Sequence, residues 1–258
     1  MDCRFKCFRF TAAALALCAV LLAGCTEVPA VSNPESSVSA DSSAVTESSP
    51  EQEQDTLPAG SLSDWNLILL NPEPQNKIDE DLPLSFASFD GQKIDERIAA
   101  QYSQMVADAE KDGIHLFLRS GYRPVSLQKT YYESNINKYM QQGMTREEAE
   151  AKTREYYTEP GHSEHHSGLA LDILTEEYQR DVYTLDDRFA QTDGYAWLIK
   201  HCTEYGFVLR YPEDKTDITQ INYEPWHYRY VGTEHAAYMK EHGLCFEEYI
   251  TLLQEAGR

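Results

Sequence analysis

Two short stretches concentrate side chains able to hold a metal ion. The first runs Ser163-Glu164-His165-His166-Ser167-Gly168-Leu169-Ala170-Leu171-Asp172, and the second Glu224-Pro225-Trp226-His227. Two imidazoles and one carboxylate suit a catalytic Zn²⁺ site with a fourth position left for water. A metal held this way lowers the pKa of its water to about 7 and polarises a carbonyl. A further carboxylate beside it can take the water's proton. Spacing alone leaves other readings open. The chain has 8 histidines, enough to offer chance pairs, and exposed histidines and acids are mostly just solvated. Gly168 and Ala170 would let a strand pass close behind the ligands, and they serve tight packing equally well.

The elements that must carry these residues are a mixture. Trp65 to Leu70 is a short apolar run that reads as a strand. Ile94, Ile98, Tyr102, Met105, Val106 and Ala109 share one helical face, which predicts an amphipathic helix over about 92–111, ended by Asp112-Gly113. Residues 114–119 read as a strand, and Ser120-Gly121-Tyr122-Arg123-Pro124 as the loop leaving it. Helices are expected over 125–141 and, from a Thr145/Glu148 capping box, to about 157. Strands follow over 168–174, 207–211 and 226–231, with a helix over 195–205 and two more, about 233–241 and 245–255, around Gly243. No regular βαβ alternation is present, which favours an α+β domain. There is no internal repeat.

The whole chain has 258 residues and a formal charge of −21. That weighs against nucleic-acid binding and against a polybasic membrane surface, both of which need a basic face. A mean hydropathy of −0.55 excludes a polytopic membrane protein. The first sixty residues stand apart. Arg4, Lys6 and Arg9 precede an apolar stretch from Phe10 to Gly24, short for a membrane span and suited to a signal-peptide core. It ends in Leu22-Ala23-Gly24-Cys25, which resembles a bacterial lipobox. Residues 1–24 are therefore expected to be a lipoprotein signal peptide and Cys25 the lipidated N-terminus, two acyl chains giving stable anchoring. Residues 26–60 hold eight Ser, four Pro, seven acids and no Lys or Arg. Such a segment cannot offset its ordering entropy, so 25–60 is expected to be a linker reaching roughly 30–35 Å or more. The signal carries +2 and the linker −7, which leaves −16 for the head, residues 61–258. A globular head on a stalk, outside the cytoplasmic membrane, is the expected layout. Cys202 and Cys245 are the two cysteines of the head, a disulfide or two buried thiols.

Ser-x-His-x-x-Gly-x-Ala-x-Asp, from Ser163 to Asp172, resembles the zinc motif of the VanY-type D-alanyl-D-alanine carboxypeptidases, a family grouped with lysostaphin-type endopeptidases and the hedgehog signalling domain. Glu224-Pro225-Trp226-His227 resembles its second motif. Ser120-Gly121-Tyr122-Arg123 with Gln128 resembles its substrate loop, and Trp65 to Asn71 its domain start. The four segments occur in family order over about 65–232. The resemblance implies a small central antiparallel sheet with flanking helices, the hedgehog/D-Ala-D-Ala peptidase-like zinc fold, and one Zn²⁺ held by His165, Asp172 and His227. It implies Glu224 as general base and then acid, Arg123 as the group that stabilises the oxyanion or grips the peptide terminus, and Ser163 and Gln128 as substrate contacts. The implied activity is removal of terminal D-Ala from peptidoglycan stem peptides. Alternatives are an L,D-carboxypeptidase trimming tetrapeptide stems, a D,D-dipeptidase, or a non-catalytic zinc-containing wall-binding lipoprotein. Presence of Glu224, Arg123 and all three ligands speaks against the last. A stem peptide ending in D-Ala is the expected partner, with no nucleic acid. The lipid anchor is the expected membrane contact, and nothing signals an oligomer, so a monomer is expected.

The neighbours of the motifs read differently. Alternation turns His162 and His166 away from the face of His165. His166, where the family commonly has Gln, reads as a surface residue or one that tunes the site from behind. Glu164 reads as exposed. Tyr122, Tyr228 and Tyr230 read as packing, and His115, His201, His235 and His242 as structural.

Overall fold

Turn chemistry builds the first element. Phe86–Phe89 (β1) and Gln92–Asp95 (β2) pair antiparallel across Asp90-Gly91, whose φ values of 50° and 78° are those a two-residue type I′ hairpin demands. The computed structural model describes residues 56–258. The signal segment, Cys25 and the linker as far as residue 55 lie outside the described residues. Residues 92–95 are thus strand rather than the first turn of a helix, and Asp90-Gly91 was the signal for it. The helix α1, Ala99–Lys111, begins after a short 3-10 turn capped by the Asp95 carboxylate, which accepts from Arg97 N at 2.9 Å. Tyr102, Met105 and Ala109 form its buried face.

The sheet that carries the site has four antiparallel strands. These are Leu116–Ser120 (β3), Ala170–Thr175 (β4), Phe207–Leu209 (β5) and His227–Tyr230 (β6), in the spatial order β3-β4-β6-β5. Its register matters for chemistry. Asp172 on β4 lies directly opposite His227 on β6 and opposite Ser120 at the end of β3. A slip of one residue would turn Asp172 to the other face.

Helices cover the sheet. Val125–Gln141 (α2) and Arg146–Arg154 (α3) form a hairpin, and Glu176–Asp181 (α4) is a single short turn. Asp193–His201 (α5), Thr216–Thr219 (α6), Thr233–His242 (α7) and Phe246–Glu255 (α8) complete the chain. Alternation along β5 sends Phe207 into the main core with α1 and α5, and Val208 into a second cluster with α7 and α8. The α2–α3 hairpin has only a small cluster of its own, Tyr132, Ile136 and Ala149. Thr145 and Glu148 form the expected capping box, with Thr145 N donating to Glu148 Oε2 at 2.8 Å and Glu148 N to Thr145 Oγ1 at 3.2 Å. Among the described residues no helix is long and apolar enough to cross a membrane.

Three expectations change. Trp65 to Leu70 forms no strand. Its carbonyls at Asn66 and Ile68 accept instead from the Arg229 guanidinium, at 3.0 and 2.7 Å, so a buried side chain replaces a ladder neighbour. Leu57, within the segment read as linker, packs against the α7–α8 cluster. Cys202 and Cys245 are both buried and free, so the disulfide alternative falls away.

Candidate active site

The site is assembled from three chain segments. His165 lies in a 3-10 turn, Glu164–Ser167, that ends at Gly168 in the left-handed region (φ 70°) and feeds directly into β4. A Cβ there would press on the backbone of Asp95. The turn presents His165, and the strand then presents Asp172. His227 opens β6, and its amide donates to Glu224 O at 3.1 Å, which folds Glu224 back beside it. His165, Asp172 and His227 are all buried, and their ligand atoms lie within 4.8 Å of one another.

Ring orientation follows from hydrogen bonding. His165 Nδ1 lies 2.7 Å from Gly121 O, and a carbonyl only accepts. Nδ1 therefore carries the proton, leaving the Nε2 lone pair aimed at Asp172 Oδ2, 3.4 Å away. This contact needs Gly121, because a Cβ there would lie 2.2 Å from Lys93 O. His227 turns its Nδ1 toward Asp172 Oδ1 at 3.2 Å and Glu224 Oε2 at 3.4 Å.

A dication fits this donor set. Asp172 Oδ1 is buried without a hydrogen bond, although His227 Nδ1 is close, as expected where lone pairs converge on a shared third point rather than on each other. Burial pushes the His165 imidazole down to about 4, so it is a neutral ligand at neutral pH. Burial also works against charge on Asp172, but His165 and His227 outweigh it and hold the carboxyl well below its usual range. His227 is desolvated too, yet Asp172, Glu164 and Glu224 together pull it well above the ordinary histidine value. Three carboxylates crowd one ring, and a divalent ion is the natural counter-charge. Glu224 differs from the other two: burial pushes its carboxyl up, the direction a proton-transfer group needs.

The loop from Ser120 to Pro124 is tied to the same turn. Arg123 N donates to His165 O at 3.0 Å. The Arg123 guanidinium donates to Gln128 Oε1 at 2.8 Å and to Ser120 Oγ at 3.2 Å. Gln128 is buried on α2, and its amide nitrogen donates to Thr158 O at 2.7 Å, so its amide orients Arg123. Arg123, Gln128, Ser163, Glu224 and the three metal-site residues line one cleft of about 360 Å³. Asn135, Lys138 and Tyr139 of α2 form one wall with Tyr156 and Tyr157, while Leu185, Asp186 and Asp187 also border it.

Two neighbours differ from expectation. His166 is fully buried, not a surface residue. Its Nδ1 donates to Arg123 O at 2.6 Å and its Nε2 accepts from Gly161 N at 3.1 Å, so it pins the loop that carries Arg123. Glu164 is also buried, not exposed. Its Oε1 accepts from Arg210 Nε and Arg229 Nη1, both at 2.8 Å. Despite burial, these two guanidiniums keep its carboxyl far below the usual range. The signal missed in the sequence was an arginine inside each of two apolar strand segments, Phe207 to Tyr211 and His227 to Val231. A buried guanidinium demands a buried partner. His162 faces Asn71 O, and Tyr122, Tyr228 and Tyr230 do not line the cleft.

Comparison with known proteins identifies the family. Residues 91–233 match the family described as VanY, D-alanyl-D-alanine carboxypeptidase. A D-alanyl-D-alanine carboxypeptidase of Enterococcus faecalis is 35% identical over 191 residues, which cover 74% of this chain and 68% of that protein. One from Enterococcus faecium is 39% identical over 159 residues, covering 61% of this chain and 44% of the relative. Among solved structures, VanYB in complex with D-alanine-D-alanine superposes with a TM-score of 0.64 at 35% identity, over 73% of this chain and 98% of that one. A VanY D,D-pentapeptidase variant in complex with Zn(II) gives 0.63 at 35% identity, over 72% and 99%. By motif, fold and site, the chain belongs to the VanY family of D-alanyl-D-alanine carboxypeptidases, which are zinc peptidases.

Proposed function

We propose that this chain is a zinc-dependent carboxypeptidase that removes the terminal D-Ala from peptidoglycan stem peptides. The observation that carries the reading is the meeting, in one cleft, of a His165–Asp172–His227 cluster with the Glu224 carboxylate and the Arg123 guanidinium. His165 through Nε2, Asp172, and His227 through Nδ1 would hold the metal. Zinc there supplies Lewis-acid chemistry, activating water and polarising the scissile carbonyl. Glu224 takes the proton of the attacking water and returns it to the leaving amine of D-Ala. Arg123, braced by Gln128 and Ser120, donates to the developing oxyanion or to the terminal carboxylate of the peptide. Ser163 at the cleft edge contacts the substrate.

A second reading is an L,D-carboxypeptidase. It is favoured by the LD-carboxypeptidase LdcB, whose structure superposes with a TM-score of 0.57 at 31% identity over 72% of this chain. The two are separated by incubating the zinc-loaded full chain with a pentapeptide stem ending D-Ala-D-Ala and a tetrapeptide stem ending in one D-Ala, and weighing the products. Loss of one D-Ala from the pentapeptide alone establishes the D,D activity. Loss from the tetrapeptide establishes the L,D activity, and release of the intact dipeptide a dipeptidase. No release with zinc bound would replace the enzyme by a wall-binding module.

The same reading places the chain outside the bacterial cytoplasmic membrane as a monomer, tethered by a lipid on Cys25, where stem peptides are exposed. Cys25→Ala should release it from the membrane fraction; retention there would remove the lipid anchor from the proposal.

A further inference from the structure

Beside His227, reaching from the cleft lining into the core, lies a group of buried charges. Glu164 meets Arg210 and Arg229. Arg210 also donates to Glu247 Oε2 and Oε1, at 2.8 and 2.6 Å. Arg229 spends its remaining donors on the carbonyls of Tyr230, Asn66 and Ile68. Two carboxylates and two guanidiniums balance, so Glu164 remains an acceptor with both partners on Oε1. Its other oxygen, Oε2, has no hydrogen bond and is buried. It faces His227 Nε2 at 3.7 Å, and that nitrogen is also buried without a hydrogen bond.

These two unsatisfied atoms have a use once a metal sits on the other side of the ring. A ligand nitrogen must be unprotonated, so metal on Nδ1 requires the proton on Nε2. A buried N–H with no acceptor is costly. The opposite tautomer would place a hydrogen on Nδ1 and block the metal. We propose that Glu164 is the positioning residue for His227: its Oε2 accepts the Nε2 proton, fixing the tautomer and the ring plane, while Arg210 and Arg229 clamp the carboxylate from behind. Through the two arginines, the carbonyls of Asn66 and Ile68 and the Glu247 carboxylate of α8 are thus tied to Glu164 and so to His227. The inference rests on His227 binding the metal through Nδ1.

The test is zinc affinity of the full chain, measured by competition with a chromogenic chelator. Glu164→Gln keeps the shape and removes the anionic acceptor, and should weaken zinc binding about 10–100-fold. Leu253→Ala, which removes α8 core packing, should lower the melting temperature and leave zinc affinity within about threefold. Wild-type affinity in Glu164→Gln, or an equal loss in Leu253→Ala, would overturn the proposal. Should Glu164→Gln fail to fold, the zinc-loaded wild-type decides by NMR. A slowly exchanging proton on His227 Nε2 is expected, and a rapidly exchanging one contradicts. A chain whose zinc affinity is unchanged by His227→Ala would instead overturn the ligand assignment beneath it.

Discussion

The two walls of the cleft are built on different foundations. The metal wall stands on β4 and β6, which are buried along their whole length and packed on a cluster of 20 buried residues. The opposite wall is the α2–α3 hairpin, whose cluster has three. Charges follow the same division. Behind the metal wall, Glu164, Arg210 and Arg229 have fully buried side chains. On the hairpin, Arg146 pairs with Glu133 and Glu150 but is 52% exposed. The metal-site residues stand on the larger core, whereas Gln128, which orients Arg123, stands on the wall with the smaller one.

The largest effect is expected on the metal wall. Glu224→Ala should reduce D-Ala release about 10²–10⁴-fold while zinc stoichiometry, read by atomic absorption, stays at one per chain. Next comes packing. Ile173→Ala, under the metal wall, should cost about 2–5 kcal/mol in urea denaturation and weaken zinc binding with it. Ile136→Ala on the hairpin should fall at the lower end of that range and raise KM with zinc affinity unchanged. If Ile136→Ala weakened zinc as much as Ile173→Ala, the two walls would not be independent.

Smaller effects should separate hairpin features from one another. Thr145→Ala removes the α3 cap and should cost about 1 kcal/mol. The Thr145 backbone amide and hydroxyl hold the Glu148 carboxyl below its ordinary value of 4.5. A carboxyl lowered by folding stabilises above its unfolded pKa, and that support is lost as pH falls through 4.5 and below. Protection factors of the α3 amides, corrected for the intrinsic slowing of exchange in acid, should therefore fall before those of β4. Arg146→Ala, at an exposed ion pair, should change stability by less than about 1 kcal/mol, and any change should vanish in high salt.

The two motifs that carry the metal cluster stand out in the sequence because each is local, but it is the resemblance to the VanY family, and not their spacing, that joins them into one site. Ser163 to Asp172 spans one turn and one strand, and Glu224 to His227 is a single fold-back. The helix over Val125–Gln141 and the Thr145 cap were also legible, since periodicity and capping are local. What was hidden depends on distant partners. Glu164 is buried because of arginines 46 and 65 positions away, and no local pattern marks that. Trp65 to Leu70 has a strand's composition but meets a guanidinium instead of a neighbouring strand. His166 looked superficial because alternation was applied to a segment that coils into a 3-10 turn.

The most direct test of the metal-dependent chemistry is D-Ala release from a pentapeptide stem by the full chain, first stripped with a chelator and then titrated with zinc. Activity should be absent in the stripped chain and return to a plateau at one equivalent. Hydrolysis that persists in the stripped chain, or none at one bound zinc, would contradict a zinc carboxypeptidase built on His165, Asp172 and His227.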